Sequence, residues 1–540
     1  MFQKKTIVIG LDAATWSLME PLIEAGELPN IAQLKKSGVS GNLTSTTPPM
    51  TPLAWNSIVT GVNPGKHGIY DFVKQNRNNY EVSPIVSDGI DLDVPAIWDL
   101  LNQQDQRVGV MNFPLSYPPP EVDPFFVSGI SSPESGSFTY PQEIKDLLKE
   151  KDYRIHPKFG AKNNPPDKYI SEVEKLTDIQ LDTSFELLKH HNLDMFWVVF
   201  MGVDWIQHYL WNDEINGESA VNRIYRYMDE VVGKLLDSLG DKWNILVLSD
   251  HGFHEIKGEI HLNNLLEKWG YLERSELDRS MVDKMQDSAL KKGKEIAKKF
   301  PQALKQKIKD YLPEVAHSRL QQVEGSQTTL HKRIDWGNTK AFSYGYMGRI
   351  YIHSKEDYPK GTVRKENYKT LREEIISRLE NLKTLEGGNE LVGNIYRKEE
   401  AYEGRYLDQA PDVVFEPKDF SYMFYGDFGD NWFHRPVNRV ADHDDKGVYI
   451  LNGEGVKSDV ELDANLLDIA PTLLHWQGLP VLENMDGHVL KESFQVDFLD
   501  KHPIQRKKLS HIEKQSKGKN TKDEAEEEEV VSKLEDLGYL

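Results

Sequence analysis

Three apolar segments of this chain each run into an aspartate. Thr6-Ile7-Val8-Ile9-Gly10-Leu11 leads to Asp12, the run from Met195 to Val203 leads to Asp204, and Ile245-Leu246-Val247-Leu248-Ser249 leads to Asp250. Histidines stand close by: His208 follows Asp204 at helical spacing, His251 directly follows Asp250, and His443 precedes the strand-like Gly447-Val448-Tyr449-Ile450-Leu451. Carboxylates and imidazoles with hydroxyl chemistry nearby suit a two-metal site. Each group alone has a plainer reading. Asp250-His251-Gly252 would serve as a polar turn, Asp204 and His208 as a local i,i+4 pair, and His443 as a loop residue among Asp442, Asp444 and Asp445. Taken together they favour metal. Asp12 is the hardest to explain otherwise, because an acid ending a buried strand is costly unless solvated, paired or metal-bound.

Such side chains need strands that deliver them to one rim. Continuous Val/Ile/Leu/Phe runs suit parallel strands covered on both faces, and ligands of such sheets bind beyond the strands' carboxyl ends. Residues 16–25, 29–38, 168–191 and 222–239 have helical character, and residues 107–112 and 124–128 read as further strands. The expected fold is therefore α/β: a doubly wound, mostly parallel central sheet with helices on both faces, plus a helical insertion. Residues 1–272 are expected to form the first part of the core, 273–334 a helical cap insertion, 335–500 the second part of the core, and 501–540 a charged linker with a short C-terminal helix. The insertion is rich in lysine (Lys291, Lys292, Lys294, Lys298, Lys299, Lys305, Lys307, Lys309), which reads first as a solvated helical face. The highly charged tail from Lys507 to Glu529, which finishes in an acidic run, has the composition of a disordered linker. The apolar spacing of Val530, Leu534, Leu537 and Tyr539 fits one amphipathic helix, to be ordered by docking on the body or on a protein partner.

Composition removes several function classes. The 540-residue chain carries a net charge of −21, which opposes nonspecific attraction to nucleic acid or an anionic membrane. It has no cysteine, so thiolate zinc sites, disulfides and cysteine nucleophiles are excluded. No apolar run approaches the roughly 18 residues of a membrane helix, and the N-terminal stretch is interrupted by Asp12 before it reaches signal-peptide length. A cytoplasmic location is expected.

A nucleophile candidate lies between the first two acids. Thr51-Pro52 reads as a helix start with Thr51 at the N-cap, where free backbone N–H groups and the helix dipole favour a phosphoryl group. Asp12, Thr51-Pro52 with the downstream Ile58-Val59-Thr60-Gly61-Val62-Asn63-Pro64-Gly65-Lys66-His67-Gly68-Ile69, Asp204 with His208, Ser249-Asp250-His251-Gly252, and His443 occur in one order. Leu467-Asp468-Ile469-Ala470-Pro471 and Met485-Asp486-Gly487 extend the pattern. This ordered set resembles the alkaline phosphatase superfamily, and within it the type I phosphodiesterase/nucleotide pyrophosphatase branch and the microbial phosphohydrolase or phosphomutase group. The resemblance implies one divalent ion on Asp204, His208 and His443, and a second on Asp12, Asp250 and His251 with Thr51 as additional ligand and covalent nucleophile. Two divalent ions are implied, zinc first and manganese next. The chain departs from the branch at Phe72 and Ala54, where phosphate-contacting asparagines are the pattern. Oxyanion stabilisation is then expected from backbone N–H groups or from Asn56, Lys66 or His67.

The leading expectation is a metal-dependent phosphohydrolase that cleaves a phosphodiester or pyrophosphate bond of a small anionic metabolite through a phosphothreonine. Phosphotransferase, phosphomutase or phosphomonoesterase action on the same site is the alternative within enzymes. A catalytically silent binding or regulatory protein, using the insertion and the tail for partners, is the alternative outside them.

Overall fold

The computed structural model describes residues 5–85, 94–240, 243–276, 330–384, 388–436, 439–508, 524–537 and 539. The central sheet is built from β1 (Lys5–Leu11), β2 (Val39–Thr44), β3 (Val108–Phe113), β4 (Pro124–Ser128), β5 (Thr139–Tyr140), β6 (Met195–Phe200), β7 (Trp243–Leu248), β8 (Lys446–Asn452), β9 (Val460–Glu461) and β10 (Ala464–Asn465). Their spatial order is β9-β2-β8-β7-β1-β6-β3-β4-β5, with β10 also on β2. The contiguous block β7-β1-β6-β3-β4 is parallel, whereas β8 runs antiparallel to both β7 and β2. β1, β3 and β6 are buried along almost their whole length, which is why their sequences are apolar without alternation.

Helices cover the sheet as expected for a doubly wound fold. Those that bear on the site are α1 (Thr51–Thr60), α2 (Pro166–His190), α3 (Gly202–Leu210), α4 (Ala220–Leu239), α5 (Ile469–Trp476) and α6 (Glu524–Asp536). α2, α3 and α4 pack against one another, and α1 packs against α5. No described helix is long and apolar enough to cross a membrane.

Register decides where the acids fall. Gly10 of β1 is paired with Leu248 of β7 on one side and with Val199 of β6 on the other. Asp12 and Asp250 each lie two residues past that level, and Asp204 follows β6 on the first turn of α3. Parallel strands in this alignment bring all three carboxylates to one edge of the sheet.

The stretch 335–500, expected as the second part of the core, contributes to the main buried cluster and to a second large one. Ala341–Phe342, Arg349–Ile352, Val413–Pro417 and Val392–Arg397 form a four-stranded antiparallel sheet, in that spatial order, with Lys365–Glu380 packed on it. Its apolar residues, among them Phe342, Ile350, Leu379 and Phe415, join Ile260 and Leu266 in a separate buried cluster. From Lys446 the chain returns to the large sheet as β8. Short antiparallel strands carrying their own helix bury their apolar face locally, which the sequence texture alone does not separate from a return to the large sheet. The lysine-rich segment 277–329 lies outside the described residues.

Gly10 has a packing role beyond its strand. A Cβ built there would lie 2.5 Å from Trp55 Cη2 and 3.1 Å from Val199 Cγ2, so only glycine lets the indole of α1 lie on β1. Gly10→Ala is expected to cost about 1–3 kcal/mol through overpacking and to displace Trp55. Urea unfolding monitored by tryptophan fluorescence checks this; an unchanged midpoint would mean that α1 shifts without cost.

Candidate active site

Seven side chains foreseen as ligands or nucleophile converge at the carboxyl edge of the sheet: Asp12, Thr51, Asp204, His208, Asp250, His251 and His443. The first six are fully buried, and His443 is 5% exposed. Asp12 ends β1, and the chain then turns sharply through Ala13, whose φ of 64° is unusual for a residue with a side chain. In that turn the Ala13 N–H points at Asp250 Oδ1, 3.4 Å away, and its carbonyl accepts from Gln207 Nε2 of α3 at 2.9 Å. This one strained residue ties together the segments carrying the three acids. His443 arrives from far along the chain because Ala441–Asp444 pairs antiparallel with Gly252–Glu255, setting it opposite Phe253. Gly252 is required there: a Cβ would lie 2.2 Å from both Asp444 Oδ1 and the Lys446 carbonyl.

Around Asp204, His208 Nε2 lies 3.1 Å and His443 Nε2 3.4 Å from Oδ1, and the two imidazole Nε2 atoms are 3.1 Å apart. Around Asp250, His251 Nε2 lies 3.3 Å from Oδ2 and 3.8 Å from Asp12 Oδ1. The rings of His251 and His443 stack at 3.6 Å, joining the two groups. Nδ1 of His251 faces the Gly252 carbonyl and Nδ1 of His443 faces the Pro49 carbonyl, each at 3.1 Å. An N–H donated to those carbonyls leaves both Nε2 lone pairs turned inward, the arrangement that orients metal-binding histidines.

Three sets of ligand atoms here are close enough to hold an ion: Asp12, Asp250 and His251; Asp204, His251 and His443; and His208, Asp442 and His443. Asp12 Oδ1, Asp204 Oδ1 and Asp250 Oδ2 are buried without a hydrogen-bond donor. Carboxylate oxygens in that state are costly to keep charged, and the neighbouring imidazoles complete the donor set of a divalent cation. The residues present fit a metal centre.

The titration behaviour agrees. Burial, with Asp250 and Asp204 adding repulsion, holds the Asp12 carboxyl well above the ordinary range. Burial and the charge of Asp204 push Asp250 up to about 7, against the attraction of His443. Asp204 goes the other way: burial opposes its ionisation, but His208 and His443 bring it well below the usual range. Burial lowers His208 and His251, aided by Arg439 for the first and His443 for the second. That direction favours the neutral form a ligand requires, whereas for His443 burial is outweighed by Asp204 and Asp442, which raise it.

α1 starts one residue earlier than expected. Met50 is the N-cap, no side chain caps the helix, and Thr51 is its first residue with Pro52 in the first turn. The Thr51 hydroxyl is thus not spent on capping and lies 3.3 Å from His251 Nε2. Asn56, Lys66 and His67 have other partners. Asn56 donates to the Pro52 carbonyl at 2.7 Å, Lys66 pairs with Asp486, and His67 Nε2 lies 3.0 Å from Ser57 Oγ. His67, which burial pushes down to about 3, borders a cavity of about 600 Å³ lined also by Asp71, Arg77, Tyr344, Tyr358 and Tyr406.

Four participants were not foreseen. Trp55 Nε1 donates to Asp12 Oδ2 at 2.8 Å. Asp442 joins a ligand set; its adjacency to His443 was the available signal. Arg439 brings Nη2 to 3.0 Å from His208 Nε2 while its Nε lies 2.7 Å from Asp442 Oδ2, and nothing in its loop sequence marks it. Tyr539 donates its hydroxyl to Asp204 Oδ2 from the end of the chain.

A doubly wound sheet carrying this acid and imidazole cluster beside a buried hydroxyl defines a metal-dependent hydrolase of phosphoric ester or anhydride bonds. Residues 6–447 match the model of the type I phosphodiesterase/nucleotide pyrophosphatase family, and the chain belongs to that family. Among solved structures it is similar to phosphonoacetate hydrolase from Sinorhizobium meliloti 1021 in complex with phosphonoformate, at 15% identity and TM-score 0.54, covering 87% of this chain and 94% of that one. It is also similar to murine ectonucleotide pyrophosphatase/phosphodiesterase 5, at 11% identity and TM-score 0.50, covering 91% of this chain and all of that one. No curated protein matches the chain. At these identities the two structures speak to the fold, and the family match to the class of reaction.

Because Asp250 holds its proton up to about pH 7, a metal ion binding at pH 6 must displace that proton, whereas at pH 8 the carboxylate is already ionised. Calorimetric titration with Zn²⁺ or Mn²⁺ in buffers of different ionisation enthalpy is expected to show greater proton release and weaker apparent affinity at pH 6 than at pH 8. Equal proton release at the two pH values would remove Asp250 from the ligand set.

Proposed function

We propose that the protein is a two-metal phosphohydrolase that cleaves a phosphodiester or pyrophosphate bond of a small anionic substrate through a covalent phosphothreonine at Thr51. The observation that carries this reading is the Thr51 hydroxyl, fully buried and 3.3 Å from His251 Nε2, beside the Asp12, Asp250 and His251 set. A buried threonine at a helix start would ordinarily cap that helix; this one faces ionisable groups instead.

The proposed assignment places one ion on Asp204, His208 and His443 and the other on Asp12, Asp250 and His251 with Thr51, zinc being the first choice and manganese the second. His251 and His443 each occur in two of the three ligand sets, which supports neighbouring ions over isolated ones. When bound, such ions supply a lowered hydroxyl pKa and compensation for the charge of the phosphoryl group. Trp55 holds Asp12 by one oxygen and leaves the other for a ligand role. Arg439, anchored by Asp442 and reaching to His208, adds fixed positive charge on the Asp204 side of the cluster. Thr51 Oγ attacks phosphorus, the leaving alcohol or phosphate departs, and water then cleaves the phosphothreonine. Two in-line displacements give net retention at phosphorus.

Thr51→Ala is expected to lower hydrolysis of bis(p-nitrophenyl) phosphate by about a thousand-fold or more, the scale on which removal of a nucleophile is felt, while metal content measured by atomic absorption persists. Asp250→Ala is expected to lose both. Full activity in Thr51→Ala would reject the covalent mechanism, and wild-type protein that turns over neither phosphate diesters nor monoesters after zinc or manganese is supplied would reject the reading as a whole.

A further inference from the structure

The end of the chain sits in the candidate active site. α6 docks on the body through its acidic run: Tyr117 donates to Glu526 Oε2 at 2.8 Å, and the Glu134 N–H donates to Glu529 Oε1 at 2.9 Å. Val530, Leu534 and Leu537 are buried on the main core. After the helix, the Tyr539 N–H returns to the Leu534 carbonyl at 2.8 Å, which turns the chain inward. The Tyr539 side chain, 2% exposed, ends with its hydroxyl on Asp204 Oδ2, its ring 4.8 Å from Phe72 and edge-on to His208 at 6.0 Å. Residues 509–523 separate this element from the rest of the chain.

We propose that the C-terminal segment is a displaceable internal plug: α6 occupies a docking groove on the body, and Tyr539 fills space beside Asp204 that the substrate phosphoryl group must enter. The occupant is a segment of this chain. Because the occupant belongs to the same chain its docking is intramolecular, so the plug needs little intrinsic affinity and remains open to competition. The docking contacts made by Glu526 and Glu529 are hydrogen bonds from a tyrosine, from the Ser135 hydroxyl and from backbone, which are separable from the tyrosine inserted in the site. The location of the plug does not depend on the catalytic reading, but its inhibitory consequence rests on it.

A plug and a positioning role for Tyr539 move the same quantities in opposite directions. If Tyr539 only orients Asp204, Tyr539→Ala and Tyr539→Phe weaken metal and phosphate binding. If it is a plug, the zinc-loaded Tyr539→Ala chain binds inorganic phosphate about ten-fold more tightly than wild type, a 1.4 kcal/mol change, and its KM for bis(p-nitrophenyl) phosphate falls. The second readout is hydrogen exchange of residues 530–539 in the full wild-type chain. Adding zinc, or zinc with phosphate, is expected to accelerate exchange there at least several-fold. Unchanged exchange under both conditions, or phosphate binding that weakens in Tyr539→Ala, overturns the plug. Exchange accelerated by zinc with no response to phosphate and no turnover would keep the plug and reject the phosphohydrolase reading.

Discussion

Mutual repulsion among three buried carboxylates is the constraint on which the rest of this structure depends. Asp12, Asp204 and Asp250 are fully withdrawn from water at one edge of a parallel sheet, and each keeps an oxygen that no hydrogen-bond donor satisfies. Burial of unpaired charge at such density is unfavourable by several kcal/mol per group, so the surroundings must supply positive charge or protons. The protein does this unevenly. Asp204, flanked by His208 and His443, is shifted towards ionisation, whereas burial and like charge shift Asp12 and Asp250 towards the protonated form. A site in that state is under electrostatic tension that bound divalent metal would relieve, which links metal affinity to the architecture of the sheet edge.

Much of the surrounding structure serves to keep those groups from moving apart. Gly10 admits the Trp55 indole, the indole holds Asp12, and the left-handed turn at Ala13 aims the next N–H at Asp250. The Ser45 hydroxyl donates to the Asp250 carbonyl and the Ser249 hydroxyl to the Ala14 carbonyl, both at 2.7 Å, so backbone on either side of the cluster is also satisfied. Phe253, against His208 and His443, closes the apolar floor. This is preorganisation: charge-bearing atoms are held by rigid elements, and little rearrangement is left for the moment of reaction. The C-terminal segment adds an outer layer, bringing Tyr539 from the opposite end of the sequence to the same carboxylate that His208 flanks.

The acids and histidines were legible because each sits at a place where local sequence rules would not put it. A carboxylate that ends an unbroken apolar run, or a histidine at helical spacing from such a carboxylate, conflicts with simple burial and so signals a site. Asn56, Lys66 and His67 carried no comparable conflict, and in the fold they are engaged by Pro52, Asp486 and Ser57. The separate core of residues 341–433 was illegible for a different reason. Short strands and a helix have the same local signature whether they extend a large sheet or close on themselves.

The sequence by itself determined the class of fold, the three strand-ending acids and the ordered set of histidines, because burial and strand periodicity are written into neighbouring residues. Only the tertiary structure decided which imidazole faces which carboxylate, that Asp442, Arg439 and Trp55 belong to the site, and that Tyr539 ends inside it. The physical reason is range. Periodicity and capping act over a few residues, whereas these contacts join positions dozens to hundreds of residues apart, and they exist only once strand register and the packing of two cores bring those positions together.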